Sequence, residues 1–225
     1  VLATMVLKNG TLITFLAMAA GVAGGVSGCP GSGSTPTTPT GCADVEVVFA
    51  RGSGELPGLG ITGGPFVSSL KANLPGKTVT SYAVNYAADI AQTSAGAGAT
   101  DMTRHVTSVA AKCPNTDFVL GGYSQGASVT DIAIGIPTLL GRGETIPTNL
   151  APRVAAVVVF GNPLALYGQH IPTASKLYGS KAREYCALGD PVCAGGVNGA
   201  AHLTYASSGM TTQGAVFAAG KVTGT

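Results

Sequence analysis

Charged side chains are scarce: Asp, Glu, Lys and Arg together make up 10% of the 225 residues, and their formal sum is +2. A nucleic-acid-binding surface needs a strong positive excess, and a disordered tail needs high net charge with few apolar groups, so neither class fits. Histidine is scarcer still, with three in the chain. No set of Cys, His, Asp and Glu has the spacing of a ligand cluster, so the sequence calls for no metal and no organic cofactor. No internal repeat is present. What remains is 45% hydrophobic residues, and residues 42–225 are enough for one domain with a substantial core.

The amino-terminal stretch reads as a targeting segment. Lys8 precedes an apolar run over 12–26, the length of a signal-peptide core rather than of a membrane span. It ends in Val26-Ser27-Gly28-Cys29, which resembles the lipobox of bacterial lipoproteins, making Cys29 a lipidation candidate and accounting for the odd count of five cysteines. An ordinary cleaved signal is the alternative, and Met5 could serve as initiator in place of Val1. The division expected is a signal over 1–28, a Gly/Ser/Thr/Pro tether over 29–41 and a folded domain over 42–225. An exported or envelope-associated monomer is the corresponding expectation.

Within the domain, apolar runs alternate with helical spacing. Strands are expected over 45–50, 78–86, 118–123, 154–160 and 182–186, with helices over 65–74, 100–112, 124–140 and 211–221. Continuous apolar strands separated by helices imply a parallel sheet covered on both faces, here a three-layer α/β/α sandwich of about five strands.

Ser124 has glycine at both −2 and +2, in Gly122-Tyr123-Ser124-Gln125-Gly126, between an apolar strand and a helical run. A sharp strand-to-helix turn there pushes the hydroxyl out of the sheet, and glycines tolerate the close backbone approach. A serine needs an imidazole to take its proton and a carboxylate to hold that imidazole, in the order Ser, acid, base for this fold. His105 and His170 read as solvated or structural, which leaves His202 as the base. Of the acids between, Asp131 lies two turns along the helix and reads as a surface charge; Glu144 sits in a polar loop and Glu184 inside a strand. Asp190 directly follows that strand, where active-site loops of parallel sheets form, and lies between Cys186 and Cys193. The run Gly58-Leu59-Gly60-Ile61-Thr62-Gly63 fits a dinucleotide fingerprint but is separated from its strand by residues 51–57, so it reads as loop.

The motifs Gly122-Tyr123-Ser124-Gln125-Gly126, Asp190-Pro191-Val192-Cys193 and His202-Leu203-Thr204-Tyr205 resemble the cutinase family of serine esterases, especially those of mycobacteria and related actinobacteria. The resemblance runs from Cys42 nearly to the carboxyl terminus. It implies an oxyanion hole built by Ser53, in Arg51-Gly52-Ser53-Gly54-Glu55, through backbone N–H and hydroxyl, and by the N–H of Gln125. Four cysteines allow three pairings; the resemblance selects Cys42–Cys113 and Cys186–Cys193. The implied activity is carboxylic ester hydrolysis through an acyl-enzyme, with an ester or lipid as partner. Between Asp190 and His202, Val197 is the one bulky apolar residue beyond Val192, so short- to medium-chain esters or envelope lipids are expected rather than a polymer surface. A phospholipase activity is the alternative, and a surface or antigenic binding protein without catalysis is the reading from a different class.

Overall fold

The computed structural model describes residues 2–6, 12–16 and 41–224. The chain divides into two units, Val1–Gly41 and Cys42–Thr225. In the first, strand β1 (Leu2–Val6) pairs antiparallel with β2 (Leu12–Leu16). The rest of the expected leader, Cys29 and the tether up to residue 40 lie outside the described residues. No helix among the described residues is long and apolar enough to cross a membrane.

The second unit runs β3 (Val45–Ala50), α1 (Gly60–Ala72), β4 (Val79–Ala83), α2 (Ala95–Lys112), β5 (Asp117–Tyr123), α3 (Gln125–Ala133), β6 (Val154–Phe160), α4 (Ile171–Ala174), β7 (Ala182–Tyr185) and α5 (Met210–Thr223). The five strands form one parallel sheet in the order β4-β3-β5-β6-β7. Helices α1 and α5 pack together on one face, and α2 and α3 on the other. Because both faces are covered, every residue of β3 is buried, which is why the strand shows no polar alternation. Val45, Val47 and Phe49 point to one core layer while Val48 and Ala50 point to the other. In β6 this alternation slips: Phe118 pairs with Val154 but Val119 pairs with Ala156, so Ala155 is a bulge and Val154 and Val157 face the same layer.

Four of the expected elements differ by more than two residues at one end, three of them for a visible local reason. Helix α1 starts at Gly60, ahead of Pro65, so the glycine-rich run belongs partly to a helix. Its first turn is occupied by the chain's own carboxylate: the Ile61 N–H donates to Glu55 Oε1 at 2.7 Å, and a Cβ at Gly60 would lie 2.4 Å from Glu55 Oε2. A phosphate has no room there. Strand β4 stops at Ala83 because the next carbonyls turn to the buried Arg51 guanidinium, which donates to Val84 O, Tyr86 O and Ala87 O. Helix α3 ends at Ala133 because Gly135 takes φ +84° and Pro137 follows. Helix α2, in turn, begins at Ala95, five residues earlier than the pattern suggested.

Asp131 is not the surface charge its sequence position suggests. It is fully buried, because all nine residues of α3 are enclosed. Oδ1 accepts one long hydrogen bond from Asn162 Nδ2 at 3.4 Å, and Oδ2 has no partner. Burial, and then the nearby Glu184 charge, raise its pKa well above the usual carboxylate range, against the single bond from Asn162. An unfolded chain releases this proton above about pH 4 while the folded chain keeps it. The unfolded state therefore binds fewer protons, and stability falls as pH rises from there toward the folded-state value. Asp131→Asn keeps the acceptor for Asn162 and removes the titration. Thermal midpoints measured from about pH 5 to 8 should decline more for wild type than for this variant; parallel curves would show that Asp131 is ionised in the fold.

Candidate active site

Helix α3 starts directly off β5. A Cβ on Gly122 would lie 1.9 Å from Gly126 O, and one on Gly126 would lie 2.0 Å from Ala50 O. Only two glycines allow strand and helix backbones to meet this closely. Between them Ser124 has φ 56° and ψ −119°, a conformation that costs a non-glycine residue about 1–3 kcal/mol. Its N–H donates to Phe160 O at 2.9 Å, which fixes the turn to the end of β6.

His202 sits over the same strand end. A Cβ on Gly161, the residue after Phe160, would lie 2.7 Å from His202 Cε1. Its Nδ1 donates to Asp190 Oδ2 at 2.7 Å, and its Nε2 is buried with no hydrogen-bond partner. The ring is held from behind by Tyr123, whose hydroxyl donates to His202 O at 2.7 Å and whose ring centroid lies 4.9 Å away. Asp190 is completely buried. Burial pushes its carboxyl up, but bonds from His202, Tyr205 and the Val192 N–H, with the attraction of His202, outweigh this and hold it below the usual range. The loop that carries it is closed by the Cys186–Cys193 disulfide, and Cys42–Cys113 is the second bridge. Sulfur and carboxylate of Cys186, Asp190 and Cys193 cluster as metal ligands would. Both sulfurs are consumed in the disulfide, so no thiolate is available there.

The structure also brings Ser53 to Gln125. The Ser53 hydroxyl donates to Gln125 Oε1 at 3.2 Å. A hydroxyl has one proton, so in this arrangement it is committed to Gln125, while Gln125 is the first residue of α3, where backbone N–H groups have no intrahelical acceptor. The loop before it is braced by a residue sequence reasoning passed over. Glu55 accepts from the Gly52 N–H at 2.6 Å through Oε2 and from the Ile61 N–H through Oε1. The signal was present, an acid followed six residues later by a helical run, but the helix start was misplaced.

The remaining candidates lie elsewhere. His105 places Nε2 3.1 Å from Glu46 Oε1 and stacks on Tyr82 at 3.5 Å. Tyr82 in turn is pushed up to about 12 by partial burial and by Asp101, which accepts from its hydroxyl. His170 places Nδ1 2.7 Å from Glu184 Oε2, with half its side chain exposed. Glu144 pairs with Arg104 at the surface. All three histidines thus have a carboxylate partner, and His202 packs against Gly161, next to the Phe160 carbonyl that the Ser124 N–H bonds.

Comparison with known proteins bears on the family. The family model described as cutinase matches residues 41–222. A cutinase of Kineococcus radiotolerans is 61% identical over 185 residues, 80% of this chain, and the match spans 62% of that relative's length. Two Mycobacterium tuberculosis relatives, carboxylesterase Culp1 and phospholipase Culp4, are each 43% identical over 188 residues; they cover 80% and 83% of this chain and 82% of their own lengths. The solved structure of Trichoderma reesei cutinase with a phosphonate inhibitor has a TM-score of 0.64 at 30% identity, covering 80% of this chain and 77% of that one.

Glu55→Ala removes both acceptors that tie the Ser53 loop to α1. The domain should still fold, and kcat on a soluble ester should fall on the order of tenfold with KM little changed, because a loosened donor is lost mainly in the transition state. Glu55→Gln, which keeps one oxygen acceptor, should fall between. Wild-type kcat in Glu55→Ala would mean the loop is positioned without this carboxylate.

Proposed function

From the fact that the chain belongs to the cutinase family of carboxylic ester hydrolases, we propose that Ser124, Asp190 and His202 carry the reaction as nucleophile, acid and base. The observation that supports this most is the buried Asp190–His202 bond, which leaves Nε2 unpaired at the strand end where Ser124 sits. Ionised Asp190 keeps the proton on Nδ1 and so leaves the Nε2 lone pair to accept the Ser124 proton. The alkoxide adds to the ester carbonyl, and the oxyanion takes hydrogen bonds from the N–H groups of Ser53 and Gln125. Collapse of this intermediate breaks the bond to the alcohol, which leaves with the proton from His202. Water, deprotonated by the same imidazole, then releases the acid and restores Ser124.

For the substrate, we propose a short- to medium-chain ester or a lipid ester. The apolar rim is larger than the segment between Asp190 and His202 suggested. Leu188, two residues before the acid, and Leu203, directly after the base, are exposed along with Val197. Gly189 O accepts from the Asn198 N–H at 3.0 Å, which ties together the backbone segments that carry Leu188 and Val197. Each such side chain covered by an acyl chain contributes about 1.5–3 kcal/mol when fully buried. The same rim, with the Culp4 relative, favours a phospholipase as the second reading. Two disulfides fit folding in an oxidising compartment, in keeping with export and with Cys29 as a lipid anchor.

The wild-type protein should react with a fluorophosphonate probe and lose labelling in Ser124→Ala. Turnover of p-nitrophenyl esters of increasing chain length, measured beside release of fatty acid from phospholipid vesicles, decides between the two substrates. Labelling that persists in Ser124→Ala would remove Ser124 from its role, and an unlabelled, inactive wild type would favour the binding protein.

A further inference from the structure

The hydroxyl of Tyr205 touches the catalytic-acid loop at three places. It bonds to Asp190 Oδ2, lies 3.3 Å from Ala187 N and lies 3.4 Å from Cys193 Sγ. Only one assignment of its single proton satisfies all three. Ala187 N–H is a donor, so the phenol oxygen accepts from it, and a disulfide sulfur offers no proton. The phenol proton therefore goes to Asp190 Oδ2, the same oxygen that accepts from His202 Nδ1 at 2.7 Å, while Oδ1 accepts from the Val192 N–H at 2.7 Å. The ring cannot swing away. It is fully buried and lies edge-on to Phe160 at 5.9 Å, Tyr123 at 5.7 Å and His202 at 6.1 Å.

From this geometry we infer that Tyr205 is a positioning residue for the ester hydrolysis proposed above. It holds Asp190 ionised and oriented toward His202, and pins the first and last turns of the acid loop to one phenol oxygen. The inference rests on the assignment of Asp190 and His202 in the preceding section. Without the hydroxyl, Oδ2 keeps one donor in a site closed to water. The carboxylate is then less stable relative to its protonated form, and a higher pH is needed to keep the Asp190–His202 pair in its working state. The pKa of Tyr205 is itself raised, by burial and then by Asp190, as expected of a phenol that donates to a carboxylate.

The test is the pH dependence of kcat and KM on a soluble p-nitrophenyl ester, with rates normalised to the sites titrated by a phosphonate. Tyr205→Phe keeps the ring packing and removes only the hydroxyl. It should lower kcat on the order of tenfold, leave KM within about twofold, and move the acid limb of kcat/KM to higher pH by about one unit. Replacing Tyr205 with 3-fluorotyrosine, of the same shape and a stronger donor, should move that limb the other way. In an Asp190→Asn background, Tyr205→Phe should cost nothing further, because a residue that acts through Asp190 cannot act once the carboxylate is gone. Wild-type kcat and acid limb in Tyr205→Phe, or losses that multiply in the double variant, would overturn the inference and leave Tyr205 a packing residue. Wild-type activity in Asp190→Asn alone would instead overturn the underlying assignment of the acid.

Discussion

The contact between the backbone of α3 and the ends of β5 and β3 is the constraint on which the site depends. It exists because Gly122 and Gly126 lack side chains. One added methyl group at either would separate helix from strand, and with them would go the backbone conformation of Ser124, the placement of the Gln125 N–H at the first turn of the helix, and the bond from Ser124 N to Phe160 O. The conformation of Ser124, the placement of the Gln125 N–H and the tie to the strand end that underlies His202 are thus consequences of one close approach. The strain at Ser124 is borne by the packing of the sheet, on one face of which Phe49, Phe66 and Phe160 form a cluster with centroids 5.8–6.4 Å apart.

Two completely buried aspartates in this fold have their pKa values pushed in opposite directions. Asp190 accepts from an imidazole, a phenol and a backbone N–H, and these donors outweigh the cost of burying its charge. Asp131 has a single long donor and a neighbouring carboxylate, and its pKa is raised. Burial is common to both and cannot be what distinguishes them; the number and charge of the donors does. The same accounting separates the three histidine–carboxylate pairs. Those of His105 and His170 link secondary-structure elements, while that of His202 leaves a buried nitrogen without a partner.

The glycine-flanked turn that holds Ser124 was legible because it is encoded within a few residues: a strand, a turn with two glycines, a helix. The parallel sheet was legible from continuous apolar runs. What was not legible depended on partners distant in sequence. Asp131 was read as a surface charge from its place two turns along a helix, whereas in the fold it meets Asn162 and the Glu184 charge, both distant in sequence. Strand β4 was read too long because its end is set by Arg51, more than thirty residues earlier. Tyr205 was within a recognised motif, yet its role depends on an aspartate 15 residues back that the fold turns to face it. The apolar rim was undercounted because Leu188 and Leu203 lie just outside the span between acid and base.

The two disulfides sit at opposite poles of the parallel sheet. Cys42–Cys113 joins the chain just before β3 to the end of α2, where strands begin, and Cys186–Cys193 closes a loop where they end. Their sequence separations are 71 and 7 residues. On chain-entropy grounds the long bridge restricts the unfolded state by about 2 kcal/mol more than the short one. One cross-link therefore acts chiefly on the stability of the domain, and the other on the freedom of the loop that holds Asp190. Durability and loop geometry are set by separate bonds, so that opening the short bridge would leave a stable domain with a slack loop, and opening the long one a firm loop in a domain that unfolds more readily.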